Sequence, residues 1–403
     1  MDDMIHRYAN LKQTPVSVKN MIVFGKDANM NTLLRSHAFL RYELPIRLAH
    51  IAKEITALPE ELLEVEPVQK VLNWYRLSFS EVIESPVPNV ADMELKTEDE
   101  QCASLHQFQD MLDHIKDRHS GVVTTMAEGV LELKNRLGRE MIDTSVQFFL
   151  DRLYMNRISI RMLITQHLEL FKQAQTNNNL CAITSGASGR KIAEDAVDDA
   201  RYLCSNNYSV CPSVQIIVPP KLGTETSAGA PTLPYVPSHL YHMLFETIKN
   251  SLRAVVEVHG ANAQSEDDLP PVRVVLVKGT EDLTIKISDM GGGIPHADVP
   301  KLFTYFYTTA APPTKDTLDS LNEGAAPMAG LGYGLPISRL YARYFGGDLK
   351  VIPMEGYGTD AYIHLKAAGE TREVLPEYSP STYLGSQANL REWLNVDNCA
   401  FQL

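Results

Sequence analysis

Glu246, Asn250 and Arg253 fall at i, i+4 and i+7 of one helical segment, residues 238–258, and so share a face. The opposite face carries an apolar stripe of Leu240, Leu244, Ile248, Leu252 and Val255. An asparagine oxygen together with phosphate oxygens suits Mg²⁺, which keeps several waters and seldom takes a full protein cage. A carboxylate one turn away can orient or deprotonate a nucleophile. Taken alone, the same pattern is also a solvated face of an amphipathic helix. Two further blocks follow. Asp289-Met-Gly-Gly-Gly293 ends a strand-like run, and its carboxylate can accept a hydrogen bond from the amine of adenine, while Gly291 and Gly293 let backbone approach the base. Gly330-Leu-Gly-Tyr-Gly-Leu335 precedes a helical run. Glycines before a helix N-terminus offer free N–H groups and a favourable dipole to phosphate. A tight turn or a flexible linker explains each block singly; their order and their strand and helix context together describe an ATP site. Gly358-Thr359 in a later strand adds a fourth match. A P-loop is absent, since no Gly-x-x-x-x-Gly-Lys-[Ser/Thr] run occurs.

These blocks need two kinds of scaffold. Residues 29–57, 68–84, 99–137 and 143–173 carry apolar residues at three- and four-residue spacing, and predict four long helices in an antiparallel bundle. After a polar, turn-rich stretch at 175–190 the period changes. Strands are expected at 214–218, 272–277, 283–287, 349–352 and 361–365, with helices at 190–205, 238–258 and 335–345. That mixture predicts an α/β sandwich with helices on one face of a mixed sheet. The domain reading is a helical unit over 1–178, an ATP-binding unit over 179–370 and a tail over 371–403 with little core of its own. The Ala-, Pro- and Thr-rich stretch 308–329, which begins at Thr308, reads as a lid over the nucleotide.

The bulk numbers narrow the class. With 403 residues and 44% hydrophobic content, two ordinary globular units fit. A net charge of −13 argues against a nucleic-acid reader, which needs a basic footprint. Five cysteines without a Cys-x-x-Cys pair point away from zinc and from a disulfide framework. No apolar run reaches the ~18–20 residues of a membrane span, and the acidic Met1-Asp-Asp-Met start has no targeting character.

The order Glu…Asn, Asp-x-Gly-x-Gly, Gly-x-Gly-x-Gly resembles the GHKL superfamily of gyrase, the MutL proteins, histidine kinases and mitochondrial dehydrogenase kinases. Three longer stretches are more specific: residues 236–246, 148–164 and 332–349 closely resemble the mitochondrial pyruvate dehydrogenase kinases. The resemblance covers roughly residues 11–370; the branched-chain 2-oxoacid dehydrogenase kinase is a weaker match. It implies a mitochondrial matrix enzyme that transfers the ATP γ-phosphoryl to serine on the dehydrogenase α subunit. It implies Glu246 as general base, His119 reaching across to tune it, and Asn250 as the Mg²⁺ ligand. Asp289, Gly291, Gly293 and Thr359 would serve the adenine end. Arg253, Thr308, Gly330, Leu331, Gly332, Tyr333, Gly334 and Leu335 would serve the phosphate end.

The resemblance further implies a pocket for pyruvate-like carboxylates at Tyr154, Arg157 and Arg161, where a solvated charged face is the plainer reading. It implies docking of the acyltransferase core's lipoyl domain near residues 15–24, and a homodimer. Two departures stand out: extra residues at 316–323, and Glu392-Trp393 where the family's Asp-Trp anchor is expected. Two other classes remain. A histidine autokinase is one, but Tyr42 stands where the phosphoacceptor would be in Arg41-Tyr-Glu-Leu-Pro45. A non-catalytic lipoyl-domain binder is the other, but Glu246, Asn250 and Asp289 are all intact.

Overall fold

The computed structural model describes residues 1–25, 29–87, 98–137, 144–176, 184–219, 232–309, 330, 332–366 and 371–376. Helices fill the first part: α1 (Asp2–Tyr8), α2 (Val18–Gly25), α3 (Met30–Thr56), α4 (Glu60–Leu63), α5 (Glu66–Glu84), α6 (Glu98–Arg118), α7 (Val122–Leu137) and α8 (Thr144–Thr176). The long helices follow the expected apolar spacing, and α3 packs on α5 and α8 through side chains buried to 0–2%, such as Leu44, Leu48, Ile51, Tyr75, Leu150 and Leu153. A buried ion pair, Arg152 to Glu54 at 2.6 Å, crosses from α8 to α3.

One expectation fails here. Residues 99–137 form two helices, not one, with a break at His119, Ser120 and Gly121. The freed carbonyls at the break are taken by α8. Arg157 donates to the carbonyls of His119 and Ser120, and Arg161 to that of Lys116. Two cations over the end of α6 also complement its dipole.

The second part holds β1 (Thr184–Ser188), α9 (Gly189–Asn207), β2 (Val214–Ile217), β3 (Thr232–Tyr235), α10 (Pro237–His259), β4 (Val272–Lys278), β5 (Asp282–Ser288), α11 (Gly334–Tyr344), β6 (Asp348–Met354) and β7 (Gly358–Lys366). Five strands join in the order β2-β4-β5-β7-β6, parallel at β2/β4 and antiparallel elsewhere. Alternation decides which face is inside. Val274 pairs with Ile287, and Leu276 with Ile285, which pairs in turn with Ile363; all five side chains are buried to 0–1%. α10 packs on this apolar face with α9 and α11 beside it. Pro237 in the first turn of α10 suits a helix start, where its missing N–H costs nothing.

Sequence patterning misses β1 and β3. They form a separate antiparallel pair of five and four residues, with too little alternation to register as strands. The buried apolar cluster runs continuously from α3 through α8 into the sheet. Residues 177–183, around the expected domain boundary, lie outside the described residues, as do 310–329 of the expected lid at 308–329 and the stretch from 377. Among the described residues, no helix is long and apolar enough to cross a membrane.

Residues 371–376 open the stretch expected to be a tail with little core of its own. Glu373 is buried and ties three regions together. It pairs with Arg47 of α3 at 2.8 Å, accepts the Tyr344 hydroxyl of α11 at 2.7 Å, and accepts the Val16 N–H at 3.3 Å. Arg47 is fully buried, also bonds Glu43 at 2.9 Å, and stays charged because these carboxylates outweigh the cost of burial. Glu373→Ala leaves that guanidinium short of a counter-charge, and should cost about 3–5 kcal/mol of stability. Denaturant unfolding is the check; a loss within ~1 kcal/mol of zero, the surface ion-pair range, contradicts the assignment.

Candidate nucleotide site

α10 presents its second face to a cavity of about 370 Å³, within the usual size of a small-molecule pocket. Glu246, Asn250 and Arg253 line it from the helix. Asp289, Gly291 and Gly293 line it from the end of β5, Thr359 from β7, and Gly330, Gly332, Gly334 and Leu335 from the start of α11. Thr308 closes a further side. Three blocks far apart in sequence thus meet at one hollow because α10 lies across the sheet next to both loops.

The deep end is built around Asp289. Its Oδ1 accepts the N–H groups of Gly291 at 3.0 Å and Thr359 at 3.1 Å. Its Oδ2 accepts the Ser251 hydroxyl at 2.8 Å, which leaves a lone pair for one more donor. Burial pushes the carboxyl above its ordinary range, and the three hydrogen bonds pull it back. Gly293 is required here: its φ is +72°, and a Cβ would come within 2.1 Å of the Met354 carbonyl oxygen.

At the other end, Lys249 donates to Glu246 Oε1 at 2.9 Å, and both side chains are largely buried. Glu246 Oε2 lies on the side of Gly334, where a Cβ would come within 2.1 Å of it. The glycine therefore makes room for the carboxylate at the start of α11. Arg253 reaches Glu257 at 2.6 Å and Thr309 at 3.3 Å.

Several predicted residues lie elsewhere. Leu331 is outside the described residues. Tyr333 sits in the glycine loop, but its ring is buried against Tyr154, Tyr305 and Phe306, with centroids 5.8, 5.0 and 5.0 Å away. The expected contact from His119 to Glu246 is not formed. His119 is buried and bonds Ser78 at 3.0 Å, and burial followed by the Arg157 charge lowers its pKa to about 3. The histidine that Glu246 influences is His242, one turn back on α10. Arg157 and Arg161 of α8 both act electrostatically on Tyr75 of α5, whose buried hydroxyl has no hydrogen-bond partner among the described residues. Tyr154 is fully enclosed. Sequence reasoning missed Lys249, which sits inside the Glu246–Asn250 block, and Ser251, whose role only the fold reveals.

Residues 15–190 match the family model described as mitochondrial branched-chain alpha-ketoacid dehydrogenase kinase. Residues 235–369 match the histidine kinase-, DNA gyrase B- and HSP90-like ATPase family. Over 389 residues the chain is 43% identical to a mitochondrial pyruvate dehydrogenase (acetyl-transferring) kinase of Drosophila melanogaster, covering 94% of this chain and 88% of that one. Isozyme 3 of that kinase from Homo sapiens is 42% identical over 94% of this chain and 89% of its own. The Arabidopsis thaliana kinase is 42% identical over 92% and 95%. This chain belongs to the mitochondrial pyruvate dehydrogenase kinase family. Its sandwich unit is therefore the ATPase domain of a kinase, and the cavity is where such a domain has room for a nucleotide.

Asp289→Ala tests whether the lone pair left free on Oδ2 reads the base that ADP and ATP share. Both should bind about 1.5–3 kcal/mol more weakly, the worth of a hydrogen bond to a charged group. Titration calorimetry is the check, and unchanged affinity for both nucleotides counts against Asp289 as the reader of the base.

Proposed function

We propose that this chain is a Mg²⁺- and ATP-dependent protein-serine kinase. It phosphorylates the α subunit of pyruvate dehydrogenase in the mitochondrial matrix and so inactivates the complex. The observation that carries the reading is the meeting of Glu246, Asn250, Asp289 and the glycine loop at one cavity, in a chain similar along its length to kinases of that name.

In this reading Lys249 holds Glu246 Oε1 and leaves Oε2 to accept the serine proton. The serine oxygen then bonds to the γ-phosphorus as the bond to the ADP oxygen breaks. Asp289 holds adenine with Gly291, Gly293 and Thr359 beside it. Arg253, Thr308 and the loop at Gly330–Leu335 serve the phosphates. Among the described residues no cluster of three His, Cys, Asp or Glu could cage a metal. Asn250 lines the cavity and offers a single neutral oxygen, which fits Mg²⁺ completed by phosphate and water. Held at Asn250, Mg²⁺ would neutralise charge on the transferring phosphoryl group. His119 instead bonds Ser78 through its ring and accepts from Arg157 through its carbonyl.

Residues 1–178 form the regulatory and docking unit, an antiparallel four-helix bundle, and 179–370 the catalytic unit. The lipoyl domain of the acyltransferase core docks near α2, where Val23 is exposed beside buried Val18 and Met21. The chain acts as a homodimer; Glu392-Trp393, the expected anchor, lies outside the described residues. A small carboxylate such as pyruvate or dichloroacetate binds Arg157 and Arg161, whose charges both act on the buried Tyr75 hydroxyl.

The N-terminal family description names the branched-chain complex, so that dehydrogenase is the second reading. Incubation with labelled ATP and each dehydrogenase decides between them. Acid-stable phosphoserine on pyruvate dehydrogenase supports the first, label on the branched-chain enzyme alone the second, and acid-labile phosphohistidine on the kinase itself defeats both.

Glu246→Gln should spare ATP binding and lower turnover by roughly 10²–10⁴, the span of a positioned base. Asn250→Ala should instead remove Mg²⁺-dependent ATP binding. Parallel loss of binding and turnover in Glu246→Gln means the carboxylate is structural. Arg157→Ala should abolish inhibition by dichloroacetate and leave the ATP constant unchanged. Inhibition that survives this substitution places the carboxylate site elsewhere.

A further inference from the structure

The helix that carries Arg157 and Arg161 also grips the wall of the nucleotide cavity. Gln147, Asp151 and Tyr154 lie at i, i+4 and i+7 on α8, and so form one stripe. All three meet Tyr305, which is 2% exposed. Gln147 brackets its backbone: Oε1 accepts the Tyr305 N–H at 2.8 Å, and Nε2 donates to the Tyr305 carbonyl at 3.3 Å. Asp151 Oδ1 accepts the Tyr305 hydroxyl at 2.7 Å. The Tyr154 ring lies against the Tyr305 ring, centroids 5.6 Å apart.

The residues after Tyr305 lead straight into the site. Phe306 has φ of +66°, the only non-glycine positive value among the described residues. For a bulky side chain that conformation is strained and persists only where its surroundings impose it. Phe306 is held on one side by the bracketed Tyr305 and on the other by the Tyr333 ring, 5.0 Å away. Tyr307, Thr308 and Thr309 then line the cavity. The Tyr307 backbone lies directly beneath the glycine loop: a Cβ on Gly332, whose φ is +77°, would come within 2.5 Å of its carbonyl oxygen. The loop thus rests on Tyr307, which follows strained Phe306, and both are anchored by Tyr305.

We infer that Gln147 and Asp151 are positioning residues for nucleotide binding, setting through Tyr305 and strained Phe306 the height of the glycine loop that receives the ATP phosphates. This inference rests on the nucleotide reading of the cavity. None of the four residues touches the reacting atoms. If Tyr305 is released, Phe306 can relax to negative φ, Tyr307 moves, and the loop loses its floor. The affected quantity is nucleotide affinity rather than proton transfer at Glu246, which is held from α10 by Lys249.

Asp151 gives the device a pH signature. Burial raises its carboxyl to about 6, against the Tyr305 hydrogen bond and the charges of Arg343 and Arg339, which pull it down. Those arginines face it from α11, each also bonded to Asp348 of β6. The ionised carboxylate is the stronger acceptor for Tyr305. The grip therefore tightens as pH rises through about 6 and slackens below it.

The test uses the full chain with its dehydrogenase substrate. Tyr305→Phe keeps the ring and removes the hydroxyl; Gln147→Met keeps the hydroxyl and removes the bracket. Each should raise the KM for ATP by about 10-fold, within the value of the one or two hydrogen bonds lost, with kcat nearly unchanged. Asp151→Asn leaves only a neutral acceptor, so at pH 8 it should already show the raised KM that the wild type reaches below pH 6. It should also lose the wild-type inflection in KM near pH 6. Ionisation of ATP itself is common to both proteins and cancels in the ratio. Gly332→Ala is the reference and should lose ATP binding. If Gly332→Ala loses ATP while Tyr305→Phe and Gln147→Met lower only the melting temperature, the contact is bracing and the inference is overturned. If all three bind ATP as wild type does, the nucleotide reading of the loop falls and takes the inference with it.

Discussion

The packing of α10 on the five-stranded sheet is the constraint from which the site follows. One face of this helix, through Leu240, Leu244, Ile248, Leu252 and Val255, is sealed at 0–1% exposure. That seal is non-directional, but it fixes the rotation of the helix about its axis, because a turn of 100° would bury charge in place of leucine. Fixed rotation puts Glu246, Asn250 and Arg253 on the open side. It also brings Ser251 against Asp289 and Glu246 against Gly334, so that the ends of β5 and α11 are registered to the same helix.

Polar groups inside this packed frame are arranged to be satisfied. Asp289 takes three hydrogen bonds and Glu246 takes Lys249. Other buried polar atoms lack a partner among the described residues, and one of them, the Tyr75 hydroxyl, is near enough to Arg157 and Arg161 of α8 to feel both charges. A buried polar atom without a partner is costly. The same helix, one and two turns earlier, grips Tyr305. A carboxylate bound at the arginine end and a nucleotide at the glycine loop would then share α8 as a mechanical element, and linkage requires any preference of one for a helix position to be returned by the other.

The C-terminal return at 371–376 plays a complementary part. Glu373 joins α3, α11 and the segment at Val16 through one carboxylate with a fully buried arginine. Ionic joints of this kind contribute less net stability than hydrophobic replacements of equal volume, but they tolerate only one arrangement of their partners. Their geometry suits a joint between a helical layer and a sheet layer that must keep one register.

Periodicity in the chain determined the secondary elements, since apolar spacing of three or four and of two is imposed by which faces can leave water. It located the long helices and all five strands of the main sheet, and the glycine blocks marked where backbone had to turn or approach closely. It could not see the break at 119–121, because the carbonyls there are satisfied by arginines some 40 residues further along, and it passed over β1 and β3, which are too short to carry a period. Residue types nominated Glu246, Asn250 and Asp289. Their distances, and the cavity they line, were decided by sheet order and by the rotation of α10. The chain could not tell that His119 faces Ser78 rather than Glu246, that Tyr333 turns from the cavity into an aromatic cluster, or that Asp151 and Gln147 hold Tyr305. Each of those depends on a contact between residues more than 40 apart, and no local pattern encodes which side of a packed helix a distant segment will meet.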